Sequence, residues 1–129
     1  MTGWRRAEAD YNLRQLKLAQ SGVDTYLTSE RRVGDLGNLV GTLDGLNAAL
    51  ESPDEEWRDQ FEDGLLTLES AYAVHLDRGA RELDPASALR VAEAIRTLRS
   101  IVASAAAELE RLKRPRGTPE TPRRTRGSR

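Results

Sequence analysis

Eight apolar residues, Ala88, Val91, Ile95, Leu98, Val102, Ala105, Leu109 and Leu112, alternate by steps of three and four without a break. That spacing holds a single stripe on one side of an α-helix for about seven turns, the pattern of a helix laid lengthwise against others. Its limits are written locally. Asp84-Pro85 supplies a cap and a first-turn proline, and Lys113 and Arg114 suit a helix C-terminus before Pro115 ends it. A strand needs alternation by two, and no stretch of the chain competes on those terms.

Three further helices follow from the same reasoning. From Trp4 to Thr28, Leu13, Leu16, Val23 and Leu27 recur at helical spacing, with Gln20 interrupting and Gly22 predicting a bend or break. After the polar link Thr28 to Arg32, a second helix carries Leu36, Leu39, Val40, Leu43, Leu46 and Leu50. Ser52-Pro53-Asp54-Glu55 predicts a capping box at the start of a third. There Trp57, Phe61, Leu65, Leu68, Tyr72 and Leu76 form the stripe, and Gly79 is the stop signal. Short links between long amphipathic helices favour antiparallel neighbours. The expected fold is all-α, an up-down antiparallel bundle of three to four helices over residues 1–112, one domain with a core built mainly of Leu and Ala. Residues 113–129 hold no large apolar side chain and are expected to be a disordered basic tail.

Several functions lose their basis at this level. The chain has no cysteine, which removes disulfides, thiolate metal sites and Cys nucleophiles, and fits a reducing cytoplasm. No apolar run approaches the roughly 18 residues of a membrane span, and Met1 to Asp10 lacks a signal-peptide core. A cytoplasmic protein without membrane contact is expected. His75 is the sole histidine. It falls on the apolar side of its helix, the position of a hydrogen-bonded core residue, and no second histidine exists for a bundle-type metal site. Phosphate loops and nucleophile elbows are absent. Neither enzyme activity nor a cofactor is expected.

Charge is the informative property. Between Asp35 and Asp77 lie eleven acidic residues and one basic one, Arg58. Overall the net charge is −1, because residues 1–112 carry −7 and residues 113–129 carry +6. On a helical wheel of the third helix, Trp57, Phe61, Leu68, Tyr72 and His75 share one side. Glu55, Asp59, Glu62, Leu66, Ala73 and Asp77 share the other, flanked by Asp63 and Glu69. Asp54, Glu55 and Glu56 suit the positive end of the helix dipole. Asp59, Glu62 and Asp63 lie beyond its reach, and Glu55–Asp59 and Asp59–Asp63 are like-charged pairs that cost a few tenths of a kcal/mol each. Two readings stay open: a solvated face balanced by Arg90, Arg96 and Arg99 of the fourth helix, or a binding face for a basic partner. Leu66, apolar among carboxylates, makes a reasonable anchor in the second. The candidate contacts are Glu55, Asp59, Glu62, Asp63 and Leu66, with Asp44 from the second helix.

Gly37, Gly41 and Gly45 recur every four residues opposite the leucine stripe of the second helix, with Gly34 and Ala48 on the same strip. Three interior glycines cost about 3 kcal/mol in propensity. Close packing within the bundle is the expected compensation, and a second protein is the alternative.

The segment from Val33 to Gly79 resembles small helical immunity proteins of bacterial polymorphic or contact-dependent toxin systems. The resemblance rests on Gly34-Asp35-Leu36, Leu43-Asp44, Leu46 and Leu50, then on Asp54-Glu55-Glu56-Trp57 with Phe61. Leu68-Glu69, Tyr72-Ala73 and Leu76-Asp77-Arg78-Gly79 complete it. It implies a protein that binds its cognate toxin and blocks the active site or a neighbouring surface. Where the toxin is a nuclease, an acidic helix imitates the charge of its substrate. Two other functions compete. A nucleic-acid-associated regulator would use Arg114, Arg116, Arg123, Arg124, Arg126 and Arg129 for weak phosphate contacts. A helical self-assembly protein would use the seam of the fourth helix. The sequence leaves oligomeric state open.

Overall fold

A computed structural model describes residues 4–51 and 54–113. After a short 3-10 turn, Arg6–Glu8, come four helices: α1, Ala9–Thr28; α2, Val33–Ala49; α3, Glu55–Asp77; and α4, Pro85–Lys113. α1 packs on α2 and α4, and α3 packs on the same two, so the four form a closed square of antiparallel neighbours. Lys113, expected in the tail, is instead the last residue of α4 and pairs with Asp10 of α1 at 3.1 Å. Residues 114–129 and the Ser52-Pro53 half of the expected capping box lie outside the described residues.

The termini obey local chemistry. Asp54 caps α3, its Oδ1 accepting from the amides of Glu56 (2.9 Å) and Trp57 (3.4 Å). At the other end Gly79 takes φ +68. Its amide donates to Leu76 O and that of Ala80 to His75 O, the paired bonds of a Schellman stop. Asp84 then caps α4 through the Ser87 amide at 2.8 Å. The start of α2 uses Asp35, whose Oδ2 accepts from the Arg32 amide at 2.9 Å.

Leu16, Leu36, Leu43, Leu68, Leu98 and Leu109 are fully enclosed. One end departs from a Leu/Ala core. Trp57 stacks on Phe61 with centroids 5.1 Å apart and meets the edge of Trp4 at 5.2 Å. Its Nε1 donates to Ile101 O at 2.8 Å, which ties α3 to the middle of α4. Nearby, buried Asn12 donates to Glu51 O (2.8 Å) and accepts the Glu51 amide (3.0 Å). This pair of bonds fixes the end of α2 against α1.

Several sequence expectations need correction. Ala88, first in the stripe of α4, is exposed, and its neighbour Ser87 is buried. α1 begins at Ala9, not Trp4. It runs unbroken through Gly22, whose missing side chain instead admits Thr42 of α2, 3.2 Å from an added Cβ. Leu76, expected in the stripe, is exposed, whereas His75 is buried as expected. The glycine strip of α2 serves internal packing at Gly37 alone, where the Tyr72 ring would lie 2.6 Å from an added Cβ. Around Gly34, Gly41 and Gly45 an added Cβ meets no atom within 4 Å.

Candidate functional site

Because α2 and α3 stand side by side, the acidic run becomes one half of the bundle surface. Residues 35–77 carry eleven acids and one arginine. The rest of the described chain carries thirteen basic and nine acidic residues. The field is therefore two-sided, with its negative pole on α2 and α3.

The single arginine of α3 does not neutralise that pole. Arg58 turns sideways onto the C-terminal end of α2, donating to Asn47 O (3.0 Å), Asn47 Oδ1 (2.9 Å) and Leu50 O (3.1 Å). This satisfies carbonyls that the helix leaves unpaired and suits the negative end of its dipole. Glu62 reaches Arg58 only at 3.9 Å and accepts from Asn47 Nδ2 at 3.1 Å. Nor do the arginines of α4 cross to α3. Arg99 pairs with Asp24 of α1 at 3.6 Å, and Arg90 donates to the Ser87 hydroxyl at 3.0 Å. Among the described residues, no Lys or Arg lies within ion-pair distance of Asp44, Glu55, Asp59 or Asp63.

All six sequence-selected residues are exposed. Asp59, Glu62, Asp63 and Leu66 occupy consecutive turns of α3, with Glu55 one turn earlier. Leu66 is 59% exposed. Asp44 joins from the flank by way of Glu69, a residue the wheel placed only at the margin. Burial raises the Glu69 carboxyl above its ordinary value. The Asp44 charge and a hydrogen bond between the two carboxyl groups push the same way.

Two surface features escaped sequence reasoning. Val74 is 45% exposed and, with Leu66, lines a cleft of about 440 Å³ between α3 and the start of α4. Asp63 lines an adjoining cleft of about 410 Å³, whose opposite wall includes Arg90 and Ala94. The wheel shows that Val74 lies off the core stripe, but only the position of α4 makes a cleft there. A broader cleft of about 710 Å³ lies over Gly34, Tyr72 and Leu76, away from the acid ridge.

The arrangement offers carboxylates and exposed aliphatic groups, which is the equipment of a binding surface. Among the described residues no helix is long and apolar enough to cross a membrane. Compared with known proteins, the chain matches no family model, no curated protein and no solved structure.

Proposed function

We propose that this chain is a bacterial immunity or inhibitor protein that acts in the cytoplasm by stoichiometric binding to a basic protein toxin, of the nuclease type. The observation that carries this reading is that Asp59 and Asp63 stand exposed and unpaired beside exposed Leu66, while Arg58 is committed to α2. Glu55 and Glu62 extend the ridge, and Asp44 widens it with Glu69. A basic active site built for phosphate meets here a rigid row of carboxylates. Long-range attraction speeds the encounter, and an apolar centre at Leu66 slows release.

The test measures association with a basic nuclease-toxin domain, the proposed class of partner. Asp59→Lys with Glu62→Lys is expected to slow association about tenfold or more at low salt and to flatten its salt dependence. Leu66→Ala is expected to act on dissociation instead. Unchanged association after both reversals removes the ridge from the interface.

A further inference from the structure

We propose that His75 and Asp84 form a proton-driven hydrogen-bond exchange that resets one wall of the α3–α4 cleft beside Leu66. The inference goes beyond the acidic ridge and needs no partner for its test.

His75 is 2% exposed, yet both ring nitrogens are engaged. Nδ1 lies 2.7 Å from Ala71 O, an acceptor only, so Nδ1 carries a proton. Nε2 lies 3.2 Å from two groups of opposite character, the Asp84 amide and Asp84 Oδ2. With the ring neutral, Nε2 accepts the amide. With the ring protonated, Nε2–H has no lone pair and donates to Oδ2, a charge-assisted bond, and the amide passes to solvent. One proton thus swaps which group of Asp84 the ring holds.

The swap acts at a junction. Asp84 Oδ1 caps α4 through the Ser87 amide, and His75 sits in the last turn of α3. The other charged groups facing the pair are Arg78, 3.9 Å from Asp84 Oδ2, and Arg90, which lines the same cleft. Among the described residues, no side chain of α1 or α2 makes an ion pair or hydrogen bond to the ring. Leu66, Val74, His75, Asp84 and Arg90 line one cleft, so a shift of Asp84 is felt where Val74 is exposed.

The experiment is a pH titration of the full-length, isotope-labelled protein by NMR. At the alkaline end, Nδ1 should show the ¹⁵N shift of a protonated nitrogen and Nε2 that of an unprotonated one. On acidification the Asp84 amide and the Val74 methyl signals should move with the ring and share its midpoint. In His75→Gln the Asp84 amide shift should vanish from that pH range. A neutral ring protonated at Nε2 would overturn the exchange. So would an Asp84 amide or a Val74 methyl that stays still while the ring charges, or a ring that never charges before the protein unfolds.

Discussion

Two alanine substitutions of buried and exposed helix glycines measure how closely α3 and α4 approach. An added Cβ at Gly64 would lie 2.8, 2.9 and 3.2 Å from Cγ, Cδ2 and Cδ1 of Leu98, a residue with no exposed surface. Leu98 cannot swing clear, so one helix must shift, at the roughly 1–3 kcal/mol typical of overpacking. Against that, Gly→Ala in a helix interior contributes about 1 kcal/mol. Gly41 receives the same propensity gain with nothing within 4 Å to oppose it. Propensity therefore cancels between the two variants, and their difference isolates the packing cost. Gly41→Ala should be about 1 kcal/mol more stable than the parent, and Gly64→Ala about 1–3 kcal/mol less stable than Gly41→Ala. In urea unfolding that is a separation of about 0.5–1.5 M between midpoints, at unchanged slope. Gly37→Ala should fall between them, since its contact at 2.6 Å is with the ring of Tyr72, which is only partly buried. Coincident midpoints for Gly64→Ala and Gly41→Ala would refute the close approach.

Asn12→Ala removes both bonds to the backbone of residue 51 and should cost about 1–3 kcal/mol in the same unfolding assay. Asp59→Lys converts its like-charged contacts with Glu55 and Asp63 into attractive ones. It should raise stability by about 0.5–1 kcal/mol while slowing partner association, a split that separates fold from function. The Glu69 carboxyl is raised by burial and by Asp44, so its stabilising share is complete below the ordinary glutamate range. That share is lost as pH rises through the raised value. Asp44→Asn should bring Glu69 down towards its ordinary value in a carboxyl ¹³C titration. Asp84 is lowered first by the Ser87 amide and hydroxyl and then by His75. Its contribution is present above the ordinary aspartate range and fades as pH falls through the lowered value. Protection of the Ser87 amide from hydrogen exchange should therefore fall in acid.

How much was legible follows from where the information sits. Most of the α4 stripe could be read outright, because Val91, Ile95, Leu98, Val102, Ala105 and Leu109 enter the core in register. At its ends Ala88 is exposed beside buried Ser87, and Leu112 is only partly covered. Gly79 and Asp84 were legible because caps and stops are local chemistry. The end of α3 was harder. His75 was rightly placed on the apolar side, but adding Leu76 to the stripe continues a four-step that drifts off the core, since 3.6 residues per turn does not match a fixed repeat. The glycines were ambiguous for a deeper reason. Gly37 and Gly41 look alike in sequence, and only Tyr72, on another helix, gives one of them a packing role. For the acidic ridge, its outward direction was legible from the wheel. The commitment of Arg58 to the end of α2 was not, because its acceptors, Asn47 and Leu50, lie eight or more residues away on another helix.

The commitment of Arg58 decides how the ridge should be understood. Asp54 earns its place as a cap, Glu55 and Glu56 sit in the first turn, and Glu62 is held by Asn47. Folding accounts for those acids. Asp59 and Asp63 have no such account: they repel within α3 and meet no cation among the described residues. Asp44 and Glu69 press two carboxyl groups together across α2 and α3, which also opposes folding at neutral pH. A sequence shaped by stability alone would place a lysine at one of these positions, at no cost in packing. Of the acids that folding leaves unexplained, Asp63 lies one turn of α3 from exposed Leu66 and Asp59 two turns. An unpaired charge on a rigid helix costs least when another molecule supplies its partner.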